Sequence, residues 1–434
     1  MGQKLNLLLG QTLGFSGDPF AMPVEQAARH VRRGGVLIEG RKILEVGESD
    51  AMRAAHPDAL VTDYDDGLIT AGFVDAHVHY PQTGIIASWG KQLIDWLNLY
   101  TFPEETRFAD PDVARIGAKT YFDLALANGT TSMCSFCTIH PTSVDAYFTE
   151  ALSRGMRVAG GKTCMDRNAP EGLRDTVQSA YDDSRALGQK WHGQGRLTYA
   201  VTPRFSPTST PEQLEALGGL WAEHPEYLMQ THLSEQLPEI AWMRTLYPEA
   251  RDYLDTYERY GLLGKGAMFG HAIHLEPREK ARLLESGAAL IHCPTSNTFI
   301  GSGLFDMAAL KADGHLIGLA TDTGGGSSFS MLRTMAAAYE VAQLRGTALH
   351  PAQLYWLATQ GAADAMGMGG AIGNLAAGME ADLVVLDLAA TPVIAQRAAR
   401  ADSFWEALFP TIMMGDDRAV ADVWLNGVRY IPAA

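Results

Sequence analysis

The sequence predicts an α/β protein: a TIM-like (β/α)8 barrel with a small β-sandwich domain built from the N- and C-terminal segments. Three observations support this fold class. The chain has 434 residues, enough for a closed barrel of roughly 250 residues and a smaller second domain. Short β-like runs alternate with helix-length amphipathic segments in its middle, as in a parallel barrel with outer helices. The two ends of the chain carry short alternating strands instead.

The terminal domain is predicted from hairpin patterns at both ends of the chain. Residues 36–47 (VLIEGRKILEVG) form two alternating runs joined at residues 39–42, which is a hairpin pattern. Residues 382–388 (DLVVLDL) and 421–431 (ADVWLNGVRYI) are again short strands, and the second turns at Asn426-Gly427. The predicted domains are residues 1–70 and 376–434 for the small β domain and residues 71–375 for the barrel.

Eight strands account for the predicted barrel. Each is a short apolar run that ends in a polar or ionisable residue, and catalytic groups in such barrels lie at the C-terminal ends of the strands. The functional site should therefore lie where these ends meet. The predicted strands are Phe73–His77, Thr130–Cys134, Val158–Lys162, Leu197–Thr202, Tyr227–His232, Ala267–His271, Ala288–His292 and Ile317–Thr321.

Composition narrows the range of functions. A chain with 47% hydrophobic and 19% charged residues should fold rather than stay disordered. Its 50 acidic and 34 basic residues give a formal net charge of −16, which disfavours nucleic acids and anionic membranes as partners. The sequence contains neither a signal-peptide pattern nor an apolar stretch of about 18 residues, so we expect a cytoplasmic protein.

The four cysteines, at positions 134, 137, 164 and 293, are too few for a disulfide scaffold. Cys134 and Cys137 form one C-x-x-C pair, whereas a structural zinc site needs a second pair. Because the pair begins in an apolar run, buried thiols are favoured over a redox or metal role.

A metal site is predicted at the strand ends. His77 and His79 form an H-x-H pattern, and side chains at i and i+2 of a strand share a face. Taken alone, this pattern equally fits two surface or core histidines. His232, His271 and Asp322 end later strands and support the metal hypothesis. Three imidazoles and a carboxylate suit zinc, with ferrous iron as a competitor. Such an ion lowers the pKa of a bound water to about 7, so hydrolysis is the expected chemistry.

Glu235, three residues beyond His232, is the predicted proton carrier. A carboxylate at this place can take a proton from the water and pass it to a ring nitrogen or leaving group. A solvated acid at the start of a helix is the alternative. The neighbouring candidate metal ligands favour the catalytic role.

The order of these residues resembles the amidohydrolase superfamily over essentially the whole chain. Seven blocks of sequence, in the same order, are similar to the branch of that superfamily that deaminates guanine. These blocks are His79-Tyr80-Pro81-Gln82, Asp95-Trp96-Leu97 with Tyr100-Thr101-Phe102-Pro103-Glu104, Cys164-Met165-Asp166, Thr202-Pro203-Arg204-Phe205, Thr231-His232-Leu233-Ser234-Glu235, His292-Cys293-Pro294-Thr295-Ser296-Asn297 and Thr321-Asp322-Thr323-Gly324-Gly325.

This resemblance implies a role for each site residue. Glu235 would shuttle protons, Asp322 would also orient or deprotonate the water, and His271 would stabilise the attacking oxygen. Binuclear members of the superfamily carry a carboxylated lysine at the end of strand four, where this chain has Arg204, so one zinc ion is implied. A homodimer is also implied. The implied metal ligands are His77, His79, His232 and Asp322.

The resemblance implies conversion of guanine to xanthine and ammonia, and the donors and acceptors of the predicted site agree with guanine. The guanidinium of Arg204 only donates hydrogen bonds, so it suits the C6 carbonyl oxygen and meets an exocyclic amine badly. Gln82 offers a donor and an acceptor to a purine edge, and Phe205 can stack on the ring. A surface ion pair is the alternative for Arg204, and for Gln82 and Phe205 a role unrelated to the substrate fits the sequence about equally well. The other predicted substrate-binding residues are His79, Glu235, His271 and Asp322.

The segment Ser88–Glu105 is a candidate lid because it is unusually rich in aromatic residues. The alternative is an ordinary amphipathic helix packed on the barrel. Residues with the helical spacing that this alternative requires are Leu93, Trp96, Leu97 and Tyr100.

Alternative functions remain, because a fold alone does not fix a substrate. The substrate can instead be 8-oxoguanine, another aminopurine, a pterin or a triazine, and the chain can be a non-catalytic scaffold. The presence of every candidate ligand and of Glu235 disfavours a scaffold. A further class of zinc deaminases has an H-x-E motif with P-C-x-x-C downstream. It is excluded, because no such motif follows His224-Pro225-Glu226.

Overall fold

The computed structural model describes residues 5–90 and 92–431. Over that part of the chain it contains sixteen β-strands and eighteen α-helices. The strands are β1 (Leu5–Phe15), β2 (Ala28–Glu39), β3 (Lys42–Glu48), β4 (Leu60–Ala71), β5 (Phe73–Val78), β6 (Thr130–Phe136), β7 (Arg157–Gly161), β8 (Thr163–Cys164), β9 (Leu197–Pro203), β10 (Leu228–Leu233), β11 (Ala267–His271), β12 (Ala289–His292), β13 (Leu316–Leu319), β14 (Leu383–Leu386), β15 (Val420–Leu425) and β16 (Val428–Arg429).

The helices lie mainly between the strands of the barrel and after its last strand. None of those in the described residues is both long enough and apolar enough to span a bilayer. They are α1 (Val24–Ala27), α2 (Ser49–Ala55), α3 (Leu93–Trp96), α4 (Phe102–Thr106), α5 (Pro111–Ala127), α6 (Pro141–Ser153), α7 (Val177–Trp191), α8 (Pro211–Glu223), α9 (Leu237–Leu246), α10 (Asp255–Glu258), α11 (Pro277–Ser286), α12 (Pro294–Phe299), α13 (Met307–Ala312), α14 (Met331–Leu344), α15 (Pro351–Leu357), α16 (Gln360–Ala365), α17 (Pro392–Ala398) and α18 (Phe404–Met414).

The barrel is a nearly closed ring of eight parallel strands. Their order is β5-β6-β7-β9-β10-β11-β12-β13, and the two-residue β8 pairs with β9 beside β7. The predicted (β/α)8 barrel is confirmed, and each predicted strand coincides with an observed one to within a residue or two at its ends.

Hydrogen bonds between the ends of β5 and β13 bring the first and last barrel strands together. The backbone N–H of Asp322 donates to the carbonyl of His77 at 3.0 Å. The carboxylate of Asp75 accepts from the backbone N–H and the hydroxyl of Thr321, at 2.9 and 2.6 Å. Residues that follow these two strands therefore meet at one rim of the barrel.

Strand β5 contains a β-bulge next to that rim. Asp75 pairs with Met133 and Val78 pairs with Ser135, so three steps along β5 match two along β6. A bulge increases the twist of a strand and re-aims side chains. Here it lies at the beginning of the H-x-H pattern.

Close packing fills both the inside and the outside of the ring. Inside it, the thiol of Cys134 on β6 lies 3.1 Å from Oε1 of Gln230 on β10. Gly161 on β7 is required by close approach, since a Cβ there would lie 1.8 Å from the carbonyl oxygen of Ala200. Outside, α5 and α6 bury aromatic residues such as Phe122 and Tyr147 in the main core.

The two ends of the chain form a second sheet, as predicted. Its order is β16-β15-β14-β4-β1-β2-β3, with β1 and β4 parallel and the other neighbours antiparallel. Both predicted hairpins are present: Glu39 pairs with Lys42, and Leu425 pairs with Val428 around Asn426-Gly427. The predicted domain boundaries at residues 70 and 375 stay a prediction.

A group of charged residues, here called the basal ion cluster, joins the terminal sheet to the barrel. Arg157 begins β7 and Arg196 precedes β9, so both lie at the end of the barrel opposite the rim. Arg196 Nη1 lies 2.7 Å from Glu380 and 2.5 Å from Asp382, and Arg157 Nη2 lies 2.6 Å from Glu380. Each charge in the basal ion cluster is therefore paired.

Candidate active site

The predicted metal-site residues meet at the C-terminal rim of the barrel. His77 lies in β5, His79 just after it, and His232 in β10, while His271 ends β11 and Asp322 follows β13. Four of these side chains are buried and His232 is partly buried. The structure thus brings together five residues from four separate segments of the sequence.

The potential ligand atoms of these residues face one another. Nε2 of His79 lies 3.1 Å from Nε2 of His232. Oδ1 of Asp322 lies 3.6 Å from Nε2 of His77 and 3.5 Å from Nε2 of His79. Within the described chain, the buried Nε2 of His77 has no hydrogen-bond partner. Unsatisfied buried nitrogens are costly, so this arrangement fits a cation bound between them.

The backbone carbonyl of Arg204 orients His232 for metal binding. It lies 2.7 Å from Nδ1 of His232, and because a carbonyl oxygen only accepts, Nδ1 must carry the proton. A neutral His232 then directs the lone pair of Nε2 toward the other ligands. Metal-binding histidines commonly donate their second ring N–H in this way.

The protonation states also suit a metal. Burial, together with the charges of neighbouring imidazoles and Arg204, lowers the pKa values of His77, His79 and His232 well below the usual range. The imidazoles are therefore neutral, as ligation requires. Burial raises the pKa of Asp322 to about 7, and an adjacent cation favours its ionised form. Three imidazoles and one carboxylate form a donor set that zinc or ferrous iron accepts.

Glu235 lies beside His271 and Asp322 in the same site. Its Oε2 is 3.5 Å from Nε2 of His271, which is 3.7 Å from Oδ2 of Asp322. The hydroxyl of Ser302 donates to Oε1 of Glu235 at 2.8 Å. Burial raises the pKa of Glu235 to about 7 although Ser302 and Arg204 lower it. Such a carboxyl group can give and take a proton near neutral pH.

A second buried glutamate holds the turn that carries Glu235. Ser234 has a φ of 49°, a left-handed conformation that costs a non-glycine residue on the order of 1–3 kcal/mol. Oε2 of Glu239 accepts the backbone N–H groups of Glu235 and Gln236, each at 3.0 Å. The hydroxyl of Tyr253 donates to Oε1 of Glu239 at 2.5 Å. These bonds keep the strained turn in place.

The predicted substrate-binding residues line one cavity beside the metal-site residues. Arg204 is buried, and its Nη1 lies 2.7 and 3.0 Å from the two carboxylate oxygens of Glu105. Nε2 of Gln82 donates to Oε1 of Glu105 at 2.8 Å. The ion pair of Arg204 is therefore internal rather than a surface pair. Phe205 lines the cavity and lies edge-on to Trp242.

The candidate lid combines packing with a place at the cavity. Leu93, Trp96, Leu97 and Thr101 line the cavity from α3 and the following π-helical turn Leu97–Thr101. Trp96 also packs against Tyr100 and Phe299. These contacts describe packing, and closure of the segment as a lid stays a prediction. Trp89 is 83% exposed.

The fold and the order of the site residues agree with a known family, since an amidohydrolase family model matches residues 68–429. The chain belongs to the amidohydrolase family. A short match to the bacterial imidazolonepropionase-like composite domain covers residues 34–59, in the terminal sheet.

Individual amidohydrolases resemble the chain over most of its length. The guanine deaminase of Escherichia coli (strain K12) is 42% identical over 405 residues, which cover 93% of this chain and 92% of that protein. The probable guanine deaminase of Deinococcus radiodurans is 40% identical over 87% of this chain and 86% of its own length. The crystal structure of guanine deaminase from Bradyrhizobium japonicum superposes with a TM-score of 0.95 at 34% identity, covering 99% of this chain and 100% of that one.

Sequence reasoning missed several buried residues that support the site of this amidohydrolase. Glu105, Glu239 and Asp75 bond to site residues, but neither spacing nor a motif marks these contacts in the sequence. Oδ1 of Asn297 lies 2.8 Å from Nδ1 of His271. Asn297 belongs to one of the sequence blocks that carried the family resemblance, so that block was the available signal.

The four cysteines of this amidohydrolase are free and buried, as the sequence predicts. The Cys293 sulfur nevertheless lies within 4.8 Å of ligand atoms of His77, His271 and Asp322, which the sequence did not indicate. Burial raises the pKa of Cys293 well above its usual value, so its side chain is a neutral thiol. His292, to which no role was assigned, is buried and stacks on Phe305.

Proposed function

We propose that this amidohydrolase is a guanine deaminase that converts guanine and water into xanthine and ammonia. The observation that carries the proposal is one cavity lined by metal-site residues, Glu235 and Arg204. The similarity to the E. coli guanine deaminase over 93% of this chain supports guanine as the substrate.

In this proposal one zinc ion is bound by His77, His79, His232 and Asp322, with ferrous iron as a competitor. The ion supplies a positive charge that makes a water molecule acidic enough to act as a nucleophile near pH 7. The residue at the end of β9 is Arg204 rather than a lysine that could bridge two metals, which supports a single ion.

Glu235 moves the protons of the proposed reaction. As a carboxylate it takes a proton from the attacking water, which adds to C2 of the purine, and gives that proton to a ring nitrogen. The second proton of the water then reaches the amino group, which leaves as ammonia. Asp322 orients the water and can share in its deprotonation.

His271 stabilises the oxygen that attacks C2. Its Nε2 lies between carboxylate oxygens of Glu235 and Asp322, at 3.5 and 3.7 Å. Oriented donors at the place where charge develops are a major source of rate acceleration.

Substrate orientation is assigned to Arg204, Gln82 and Phe205. Arg204 donates to the C6 carbonyl oxygen, Gln82 bonds to the purine edge, and Phe205 contacts the ring. Trp96 and Leu97 line the apolar part of the cavity and exclude water from it, which strengthens the polar contacts.

A panel of heterocyclic amines tests the proposed substrate. Ammonia release would be measured with guanine, 8-oxoguanine, another aminopurine, a pterin and a triazine, at equal concentrations of zinc-loaded protein. We expect the highest kcat/KM for guanine. A clear preference for another amine would identify that amine as the substrate instead of guanine. If ammonia is released from none of the amines, a non-catalytic scaffold is favoured.

We also propose the location, oligomeric state and domain division that were expected from the sequence. The protein is a cytoplasmic homodimer that acts in purine catabolism, and its domains are residues 1–70, 71–375 and 376–434. The net charge of −16 supports a small-molecule substrate over a polyanionic partner. Light scattering at several protein concentrations measures the mass, and a mass equal to one chain throughout would exclude the dimer.

A further inference from the structure

We propose that Glu105 is a positioning residue that determines which edge of the substrate the site accepts. This inference rests on the proposed function, because it concerns the two residues assigned there to bind the purine. Glu105 itself does not line the cavity. It acts through Gln82 and Arg204, which do.

One carboxylate binds both substrate-facing side chains. Glu105 is 1% exposed. Its Oε1 accepts from Nε2 of Gln82 at 2.8 Å and from Nη1 of Arg204 at 3.0 Å, and its Oε2 accepts from the same Nη1 at 2.7 Å. The guanidinium of Arg204 also lies over the ring of Phe102, 5.6 Å from its centroid. Both side chains therefore have defined orientations before a substrate binds.

The contact with Glu105 decides which end of the Gln82 amide faces the cavity. A carboxylate only accepts hydrogen bonds, so the amide group must direct its nitrogen toward Glu105. A rotated amide would place two oxygens against each other. Gln82 is left with its oxygen, a hydrogen-bond acceptor, as the group that it can offer to a ligand.

Arg204, in contrast to Gln82, offers hydrogen-bond donors to the cavity. Its Nη1 is occupied by Glu105, and its remaining N–H groups have no hydrogen-bond partner within the described chain. The cavity thus presents donors from Arg204 together with one acceptor from Gln82. The complementary ligand edge carries a carbonyl oxygen next to a ring N–H, as guanine does at C6. A purine with an amino group at C6 would place a hydrogen-bond donor against the N–H donors of Arg204, which disfavours its binding.

Guanine and 2,6-diaminopurine test this inference, because both carry the amino group at C2 and they differ at C6. The kcat/KM for C2 deamination would be measured for each, with the product identified by chromatography. A site built to bind a polar group rejects analogues that lack it. We expect wild-type protein to favour guanine strongly, and Glu105→Gln to lower this selectivity by about tenfold or more, because only guanine uses the groups that Glu105 orients.

Glu104→Gln is the matched control, since Glu104 pairs with the exposed Arg107 and does not line the cavity. It should leave the selectivity unchanged. Glu105→Asp keeps the charge beside Arg204 but is too short to bind both partners, and Gln82→Met removes only the amide. Both should lower the selectivity for guanine, and they keep the test available if Glu105→Gln does not fold.

The outcomes separate this inference from the proposed function. If wild-type protein releases no ammonia from guanine, the proposed function fails. If it deaminates guanine, but the Glu105 and Gln82 variants lower kcat/KM equally for both purines, Glu105 is only structural and the inference is wrong.

Discussion

Two groups of ionisable residues lie at opposite ends of the barrel, and they differ in how far their hydrogen-bonding groups are paired. In the basal ion cluster each guanidinium of Arg157 and Arg196 meets carboxylates at 2.5 to 2.7 Å. At the rim, nitrogens of His79 and His232 lie 3.1 Å apart, and Nε2 of His77 has no partner among the described residues. The complete pairing of charges in the basal ion cluster indicates a structural role, whereas buried ligand atoms without a hydrogen-bond partner at the rim indicate a site that binds an ion.

Removing the proton carrier from the rim should have the largest effect. We expect Glu235→Gln to lower kcat for guanine on the order of a thousandfold, because the amide cannot accept the proton of the water. Elemental analysis should find the metal content unchanged. Ammonia release gives the rate, and the exposed Glu226→Gln is the control. Near-normal ammonia release from Glu235→Gln would end the assignment of Glu235 as the proton carrier.

Breaking the basal ion cluster should affect stability rather than catalysis. Arg196→Met leaves Glu380 and Asp382 buried with one partner fewer, and we expect the free energy of unfolding to fall by about 3 kcal/mol. Urea denaturation measures the loss, with the exposed Arg115→Met as the control. The folded variant should deaminate guanine at the wild-type rate. Lost activity at unchanged stability would contradict the comparison.

Metal removal should distinguish the two groups directly. Zinc added to chelated protein, at a free concentration 100 times its Kd, should raise the free energy of unfolding by about 2.7 kcal/mol. His79→Asn should lose most of this gain, while Arg196→Met should retain it. Thermal unfolding with and without zinc measures the stabilisation by zinc in each variant. An equal gain in His79→Asn would place the ion elsewhere.

The smallest effect concerns pH. Burial alone would raise the pKa of Glu380, but Arg157 and Arg196 outweigh burial and hold that pKa at about 2, below its ordinary 4.5. A pKa that is lower in the folded state stabilises the protein above the unfolded pKa, and this contribution is lost as the pH falls. The difference in unfolding free energy between wild type and Glu380→Gln should therefore shrink from pH 5 to pH 2. A constant difference would show that ionised Glu380 does not stabilise the fold.

The barrel and its rim could be predicted because their signals are local. Each strand is a short apolar run, and residues such as His77 and Asp322 stand at or just beyond the ends of such runs. The terminal hairpins were likewise marked by alternation and by Asn426-Gly427. The long β1 and its parallel partner β4 were not specified, because their pairing joins distant segments.

Contacts between side chains that are distant in the chain could not be predicted from the sequence. Glu105 was only the last residue of the candidate lid, and its bonds to Gln82 and Arg204 depend on the folding of three separate segments of the chain. The bulge in β5 and the left-handed Ser234 also depend on their tertiary partners. Neither hydrophobic periodicity nor a turn motif predicts these side-chain contacts, the bulge or the left-handed residue.

The position of Arg204 has a consequence for how this scaffold can change its preference. Its carbonyl oxygen orients His232, whereas its side chain lines the cavity. A carbonyl belongs to the main chain and persists whatever amino acid occupies the position. Exchange of residue 204 can therefore change what the cavity accepts while the imidazole of His232 keeps its tautomer. Loss of the guanidinium would also remove one of the charges that lower the pKa values of the site histidines, so a new preference would come with a change in the metal site.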